Sequence, residues 1–272
     1  MFRSVLFIPC ANARALAKAR DLDADALIFD LEDAVGKNEW AGALAGLVST
    51  LEAGGIRAAN VLVRIQPLHL DATADALDQL VRSKAISGVV VPKVETPEIL
   101  DRVRQAIPRV DGLWAMVETP LGVTRLSDIA GHVPLAGLIA GPNDLRKGLR
   151  TRPMPERQDI LFALSQIVLH ARAQGLIALD GVYNQYKDET GFAAECRQGR
   201  DLGFDGKTLI HPDQVTAANA AFSPSDGEFA WAEAVVKAFA ASEAGVVSVN
   251  GEMVERLHLE QARDILTYLR DR

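Results

Sequence analysis

The stretch that decides the fold is residues 113–145, which read LWAMVETPLGVTRLSDIAGHVPLAGLIAGPNDL. It holds two apolar runs, LWAMV and LAGLIAG, and each ends abruptly in an acid among small or turn-forming residues. Apolar runs of this length, bounded by glycine and proline, are typical of strands buried on both faces of a sheet. A short helical segment, residues 123–130, separates them, so the stretch predicts a strand–helix–strand unit with a right-handed crossover.

Two acids follow the two predicted strands. Both strands of such a unit are parallel, so Glu118 and Asp144 are expected side by side at one edge of the sheet. Two carboxylates in that position suit a hard divalent cation such as Mg²⁺. The alternative is that Glu118 caps the next helix and Asp144 only begins a loop, and the spacing alone leaves both interpretations open.

Six more short apolar runs alternate with helix-compatible segments. They lie at residues 4–9, 26–32, 60–65, 88–93, 177–182 and 206–210, and the helices between them include residues 97–106, 156–174 and 189–202. Eight such units in 272 residues predict an α/β protein with a TIM (β/α)₈ barrel. An open doubly wound sheet is the alternative, but no glycine-rich turn follows the first strand, which disfavours a dinucleotide site.

The chain continues beyond barrel closure. We predict a barrel over residues 1–222 and a C-terminal helical and hairpin extension over residues 223–272. The extension holds a helix-like segment at 228–243, an Asn-Gly hairpin signal at residues 250 and 251, and apolar residues at helical spacing over 252–270. It is expected to act as a lid or as an arm that reaches a neighbouring subunit.

Composition excludes several classes of protein. The net charge of −7 argues against a nucleic-acid binder, and two cysteines, Cys10 and Cys196, imply neither a disulfide framework nor a cysteine zinc site. No apolar run approaches the roughly 20 residues of a membrane span, and the N-terminus lacks the layout of a signal peptide. The sequence therefore predicts a cytoplasmic, globular protein that binds neither nucleic acid nor membrane.

Polar residues recur at the ends of the predicted strands, where barrels carry their active sites. Asp30 or Glu32 is expected to hydrogen-bond waters on the metal, and Arg64 presents a planar fork of donors suited to a carboxylate or a developing oxyanion. Lys93 and Lys207 are expected to pair with acids rather than to act in catalysis. Other polar residues at strand ends are Asn143, Asp180, Tyr183 and His211, of which the last suits either a base or a structural donor.

Several blocks resemble a known family. LIFDLEDAV, VVVPKVE, LWAMVETPLGV, GPNDL and GFDGKTLIHP, in order between residues 3 and 224, resemble the citrate lyase β-subunit-like proteins of the HpcH/HpaI aldolase group, in the pyruvate/phosphoenolpyruvate barrel superfamily. The resemblance implies a Mg²⁺-dependent carbon–carbon lyase that acts on β-hydroxyacyl thioesters and assembles as a homotrimer. Its partners would be an acyl-CoA and a 2-oxo acid.

The resemblance also implies roles for single residues. Glu118 and Asp144 match the metal ligands of the family, Glu118 also bordering the substrate, and Arg64 matches its substrate-binding arginine. The residues that lie where relatives contact coenzyme A are Phe7, Arg14, Ile210 and His211.

Two departures from the family pattern stand out. Relatives read Pro-Gly after the first strand, where this chain has Pro9-Cys10 and so a more restricted turn. In the tail, GEMVE resembles an element whose last residue is an aspartate that enters a neighbour's active site as the acid/base group, and here that position is Glu255. The glutamate side chain, which is longer than aspartate by one methylene, either performs the same proton transfer from a backbone placed farther away or marks a role that has been lost or moved.

The predicted reaction is reversible cleavage of a β-hydroxyacyl-CoA into a 2-oxo acid and an acyl-CoA. Three alternatives remain: a CoA-free pyruvate-type aldolase, the β subunit of a citrate lyase complex acting on carrier-bound citrate, and a non-catalytic ligand-binding relative. Failure to bind acyl-CoA would favour the CoA-free aldolase, and partner subunits in a pull-down would favour the citrate lyase subunit. Metal binding without turnover would favour the non-catalytic relative.

Overall fold

The computed structural model describes residues 1–36, 38–132, 134–242 and 244–268. Contacts divide the chain into two compact units, Met1–Phe222 and Ser223–Arg272. The first unit holds a closed barrel, and the second holds helices and a two-stranded hairpin. Within the described ranges, no helix is both long enough and apolar enough to cross a membrane.

Eight parallel strands close the first unit, each pairing with its neighbours in the chain and the first pairing with the last. They are β1 (Ser4–Pro9), β2 (Ala26–Asp30), β3 (Asn60–Arg64), β4 (Gly88–Val91), β5 (Gly112–Val117), β6 (Gly137–Ala140), β7 (Ile177–Asp180) and β8 (Gly206–Leu209). This order confirms the predicted TIM barrel and excludes the open doubly wound sheet.

Helices surround the barrel and return the chain to the start of each strand. They are α1 (Ala13–Lys18), α2 (Trp40–Glu52), α3 (Leu70–Arg82), α4 (Pro97–Ala106), α5 (Pro120–Thr124), α6 (Leu126–His132), α7 (Pro142–Leu149), α8 (Leu161–Ala173), α9 (Glu189–Asp201) and α10 (Val215–Ala221). Short 3-10 helices lie at Ala19–Asp21, Pro67–His69, Pro155–Arg157 and Pro212–Gln214. Proline begins α4, α5 and α7, a position where its missing N–H costs no helical hydrogen bond.

Alternation along the strands positions the top layer of the barrel. Ile28 of β2 and Leu62 of β3 pack inside the barrel with residues of the other strands. Because successive side chains point to opposite faces of a strand, the next inward residues are Asp30 and Arg64. The same step of two on β5 leads past its last residue to Glu118. The pattern that fills the interior with apolar side chains therefore ends in charged ones at the carboxyl rim.

The helices differ from prediction at three places. Predicted helix 123–130 is two helices that meet at Arg125, where the backbone leaves the helical conformation. Predicted helix 156–174 becomes regular only at α8, because Glu156 and Arg157 take left-handed φ angles of 53° and 54°. The eight-residue helix α7 was not predicted.

The second unit consists of α11 (Asp226–Ala240), β9 (Val246–Val249), β10 (Glu252–Glu255) and α12 (Arg256–Thr267). Asn250 and Gly251 both take positive φ, 53° and 85°, as a two-residue hairpin turn requires, so the predicted hairpin is confirmed. The buried core of the second unit is made by Ala232, Val235, Phe239, Val249, Val254, Leu259 and Ala262. The predicted helix ends at residues 243 and 270 lie outside the described residues.

Packing inside the barrel generates a stability prediction. A Cβ added at Gly137 would lie 2.4 Å from the Trp114 ring and 2.5 Å from the Ile177 carbonyl oxygen. We expect Gly137→Ala to lower the free energy of unfolding by about 1–3 kcal/mol because the indole has no space to retreat into. Urea unfolding measures this change.

The matched control is Gly42→Ala in α2, where an added Cβ meets no atom within 4 Å. That variant should gain roughly 0.5–1 kcal/mol from its better helix propensity. Equal stability of the two variants would contradict the close packing of Trp114.

Candidate active site

A cavity of about 370 Å³ opens at the carboxyl rim of the barrel. Charged and apolar groups share its wall, with Asp30, Arg64 and Glu118 beside Phe7 and Met116. Ala140, Asn143, Asp144, Val182, Asn184, Thr208 and Ile210 complete much of the lining. Most of the strands thus contribute to one site, which is where TIM barrels carry their chemistry.

Glu118 is held by main-chain groups on both sides. It follows β5 directly and is only 2% exposed, and its Oε1 accepts a hydrogen bond from the N–H of Lys93 at 2.8 Å. Val117 pairs in register with Ala140, which sets Glu118 beside Gly141, where an added Cβ would lie 2.4 Å from Oε2. Burial raises the pKa of this carboxyl to about 7.

Asp144 lies in the first turn of α7. Pro142 begins this helix directly after Gly141, so the chain turns sharply at the end of β6. The Asp144 side chain is 29% exposed and approaches the Lys93 ammonium at 3.6 Å. Both predicted carboxylates therefore line the same cavity.

Arg64 is buried among acids. It and Asp30 are register partners at the ends of β2 and β3, and the guanidinium forms two hydrogen bonds of 2.7 Å with the two Asp30 oxygens. Its Nη1 lies 3.1 Å from Glu32 and 3.3 Å from Asp33. Its Cζ stands 4.9 Å from the centre of the Phe7 ring. Burial opposes the charge, but the bonds to Asp30 and the nearby acids raise the pKa of Arg64 above its usual range, so the group stays cationic.

Asp30 and Glu32 occupy different positions in this arrangement. Besides binding Arg64, the Asp30 oxygens accept hydrogen bonds from the N–H groups of Glu32 and Ala34 at 3.0 and 3.2 Å. Asp30 thus orients Arg64. Glu32 is 6% exposed, burial raises its pKa, and both of its oxygens form ion pairs, Oε1 with Lys93 and Oε2 with Arg64 at 3.1 Å. Their predicted contact with metal-bound water stays a prediction.

Lys93 pairs with acids as predicted. Its ammonium contacts Glu32 and lies 3.6 Å from both Asp33 and Asp144. Burial opposes the charge, but the hydrogen bond to Glu32 and the surrounding carboxylates raise the pKa of Lys93 above its usual range.

The donor set fits a magnesium ion. The described part of the chain contains no group of three His, Cys, Asp or Glu side chains that could hold a metal by themselves. Mg²⁺, however, usually binds through one or two carboxylates and keeps several waters or substrate oxygens. Glu118 and Asp144 supply that number, since both line the cavity.

The residues expected at coenzyme A are only partly brought together. Phe7 and Ile210 line the cavity. Arg14 is exposed in α1, outside the lining. His211 caps the 3-10 helix Pro212–Gln214, its Nδ1 accepting from the N–H of Asp213, and its ring stacks on Tyr186 at 4.5 Å.

Two polar rim residues point away from the cavity. Asp180 and Lys207 are register partners, fully buried and 2.9 Å apart. They join Arg157 and Glu195 in an ion-pair network between the barrel and α9, with Arg157 2.7 Å from Asp180 and Glu195 2.8 Å from Lys207. Lys207 pairs with acids, as predicted, and this network supports the fold beside the site.

Two features were not visible in the sequence. Asn143 and Asn184 form a reciprocal amide pair across the rim, with N···O distances of 2.7 and 3.3 Å, and no motif pointed to Asn184. Cys10 has no positive φ and its side chain is buried, so the turn that relatives build with glycine accepts a side chain here.

Glu255 belongs to the second unit. It ends β10 and precedes α12, and its N–H donates to Nδ1 of His258 at 3.0 Å. Its predicted role in catalysis stays a prediction.

A closed (β/α)₈ barrel with carboxylates and an arginine around a cavity at its carboxyl rim has the build of a TIM-barrel enzyme. The chain belongs to the HpcH/HpaI aldolase/citrate lyase family, whose model matches residues 3–212. A second model, described as a C–C bond lyase of the TIM-barrel fold, matches residues 157–268. The predicted family and the predicted enzyme class, a carbon–carbon lyase, are confirmed.

Similar proteins carry more than one activity in their names. The (3S)-malyl-CoA thioesterase of Cereibacter sphaeroides is 45% identical over 97% of this chain and 93% of its own. Citrate lyase subunit beta of Escherichia coli is 35% identical over 97% of this chain and 92% of its own. The crystal structure of CitE from Mycobacterium tuberculosis, in complex with magnesium, acetoacetate and coenzyme A, matches with a TM-score of 0.77 at 30% identity over 97% of each chain.

The raised pKa of Glu118 predicts how stability changes with pH in the absence of divalent metal. A carboxyl whose pKa rises from 4.5 in the unfolded chain to about 7 in the folded one holds its proton more tightly when folded. Its contribution to stability is therefore complete below pH 4.5 and is lost as the pH rises to about 7. We expect the Tm of Glu118→Gln in EDTA to fall less than that of the unaltered protein across this range. Parallel Tm curves would show that Glu118 titrates normally.

Proposed function

We propose that this chain is a Mg²⁺-dependent lyase that cleaves a β-hydroxyacyl-CoA into a 2-oxo acid and an acyl-CoA, or joins the two in reverse. The observation that carries the proposal is that Glu118, Asp144 and Arg64 line one cavity together with Phe7 and Ile210. Charged groups for an anionic acid thus share the site with apolar groups for a thioester. Membership of the lyase family supports the same reaction.

Glu118 and Asp144 are the proposed ligands of the metal, with Glu32 accepting a hydrogen bond from a water on it. When bound, Mg²⁺ supplies Lewis acidity that polarises the oxygens of the 2-oxo or 2-hydroxy acid. Glu118 also borders the substrate. Its position is fixed before any ligand arrives, because the Lys93 N–H and the Gly141 backbone hold it.

Arg64 is the proposed substrate-binding and catalytic arginine. Its Nε and Nη2 are taken by Asp30, so the guanidinium is held in one orientation at the cavity wall. As carbon–carbon cleavage proceeds, negative charge develops on the enolate of the acyl thioester. A cation fixed in a buried site stabilises that charge without reorganising.

Glu255 is the proposed acid/base residue, supplied by the neighbouring subunit of a homotrimer. Its carboxylate takes the proton of the substrate hydroxyl, the adjacent carbon–carbon bond breaks, and the enolate is then protonated to release the acyl-CoA. The extension over residues 223–272 would serve as the arm that carries it. Phe7, Ile210, Arg14 and His211 are proposed to contact coenzyme A, and a cytoplasmic location stays a prediction.

Hydrolysis of the same class of thioester is the second candidate function. It is favoured by one observation, the 45% identity to a (3S)-malyl-CoA thioesterase along nearly the whole chain. Hydrolysis breaks the carbon–sulfur bond, so water enters and free coenzyme A leaves, whereas the lyase reaction leaves the thioester intact.

Product analysis with (3S)-malyl-CoA and Mg²⁺ separates the two functions. A lyase releases glyoxylate and acetyl-CoA, while a thioesterase releases malate and a free thiol. We expect metal-dependent acetyl-CoA formation, together with the reverse condensation when 2-oxo acids and acyl-CoAs are offered as a panel. Mass spectrometry identifies the products.

The variants Glu118→Gln and Asp144→Asn should lose at least about 100-fold in kcat/KM, since each removes a proposed metal ligand. The control is Glu98→Gln, an exposed glutamate of α4, which should keep full activity. Malate and free thiol as the only products would replace the lyase assignment with hydrolysis. Equal activity of all variants would place the chemistry elsewhere.

The role of Glu255 across a subunit boundary is tested by co-expressing Glu118→Ala with Glu255→Ala. Each variant alone should be inactive. If a neighbour supplies Glu255, random mixed trimers contain about a quarter of their sites with both residues intact. About a quarter of normal activity is therefore expected. No recovery in isolated mixed trimers would mean that Glu255 acts within its own chain.

A further inference from the structure

Lys93 stands where three carboxylates of the rim converge. Its ammonium contacts Glu32 and lies 3.6 Å from Asp33 and 3.6 Å from Asp144. Asp144 is one of the two proposed metal ligands. The other, Glu118, accepts a hydrogen bond from the Lys93 backbone at 2.8 Å. One residue therefore touches both proposed ligands, one through its main chain and one through its charge.

The backbone at Lys93 takes an unusual conformation to make these contacts. Its φ is +50°, in the left-handed region that residues with a side chain seldom occupy and that costs free energy. This conformation points the N–H towards Glu118 while the side chain runs to Glu32. Strain of this kind persists where surrounding contacts enforce it, and it is concentrated at functional sites.

The charges around Lys93 are unbalanced. Among the described residues, five carboxylates face two cations at the rim, namely Asp30, Glu32, Asp33, Glu118 and Asp144 against Arg64 and Lys93. These seven groups carry an excess of three formal negative charges, which a divalent cation lowers to one. Without the Lys93 ammonium, the loaded rim would keep an excess of two.

We propose that Lys93 is a resident counter-ion of the rim, which weakens Mg²⁺ binding and at the same time keeps the loaded site able to accept an anionic 2-oxo acid. The inference rests on the proposed function for the identities of the metal and the acid. Lys93 sets the charge of the site and takes no part in bond breaking.

Two opposite effects follow from one charge. A cation 3.6 Å from Asp144 competes with Mg²⁺ for that carboxylate and repels the ion directly. The same cation attracts the carboxylate of the acid that binds beside the metal. Removing the Lys93 ammonium should therefore strengthen the binding of Mg²⁺ and weaken the binding of the 2-oxo acid. General damage to the site would weaken both.

The test is Lys93→Gly, studied in the full-length protein by calorimetric titration with Mg²⁺. Glycine adopts positive φ without strain and keeps the N–H that serves Glu118, so the substitution removes the side chain with its ammonium and preserves the main-chain contact. We expect the Kd for Mg²⁺ to fall about tenfold at low salt, with the difference shrinking as ionic strength rises. The KM for the 2-oxo acid should rise about tenfold, while the KM for the acyl-CoA changes less.

The chain provides a matched control in Lys84. This lysine also has a left-handed φ, 59°, is exposed in the turn between α3 and β4, and has no ion pair among the described residues. Lys84→Gly should leave the affinity for Mg²⁺ and both KM values unchanged. Lys93→Arg keeps a cation at the rim and should bind Mg²⁺ no more tightly than the unaltered protein. If circular dichroism shows Lys93→Gly unfolded, Lys93→Asn, which also tolerates left-handed φ, decides the question.

The outcomes separate this inference from the proposed function. If the unaltered protein binds Mg²⁺ and turns over substrate, but Lys93→Gly binds the ion equally or less tightly, the counter-ion role is wrong and Lys93 supports the metal ligands instead. Tighter binding with an unchanged KM for the acid would also overturn it. If the unaltered protein binds no Mg²⁺, the proposed function fails first and the inference fails with it.

Discussion

The buried ion pair between Asp30 and Arg64 is the interaction on which the rim depends. The two residues end adjacent strands in register, and both Asp30 oxygens bind the guanidinium. Removing either partner would strand a charge in a site only 3–7% exposed, which is far more costly than loss of a surface pair. Because Asp30 fixes Arg64, the remaining acids can gather around a cation that does not move. Glu32 and Asp33 approach the same guanidinium from the β2 loop.

Main-chain geometry then fixes the groups that the ion pair does not reach. Glu118 lies against the Gly141 backbone so closely that an added Cβ would stand 2.3 Å from its own Cβ. On its other side it accepts the Lys93 N–H. Neither contact depends on a flexible side chain, so the carboxylate is positioned before any ligand binds. Burial in this fixed place is also what raises its pKa to about 7. Holding Glu118 buried in a preformed cation site therefore costs folding free energy when no cation is bound.

The strands were predictable because each is a short apolar run that ends in a turn, and the carboxylates followed from the direction of parallel strands. The alternation of side chains along a strand explains why the same reasoning did not place Asp180 correctly. Asp180 follows Leu179, which faces the barrel interior, so Asp180 points to the helices and pairs with Arg157 rather than lining the cavity. The partners of Asp180, Arg157 and Lys207, lie 23 and 27 residues away, and local sequence carries no sign of such contacts. The left-handed φ of Glu156 and Arg157 was likewise invisible, because neither is a glycine.

Under the proposed function, carbon–carbon cleavage and thioester hydrolysis use the same cavity but break different bonds. A cation held by Glu118 and Asp144 would orient the acid half in either reaction, and Arg64 would meet negative charge in both. Cleavage needs a base at the substrate hydroxyl, whereas hydrolysis needs a water, and a base for it, at the thioester carbonyl. Among the described residues, the acids at the rim pair with Arg64 or Lys93 or are the proposed metal ligands. Glu255 belongs to the second unit and is one methylene longer than the aspartate that the family resemblance places there. On this proposal, the choice between the two bonds depends on where the Glu255 carboxylate meets the substrate, and the barrel residues that bind the substrate leave that choice open.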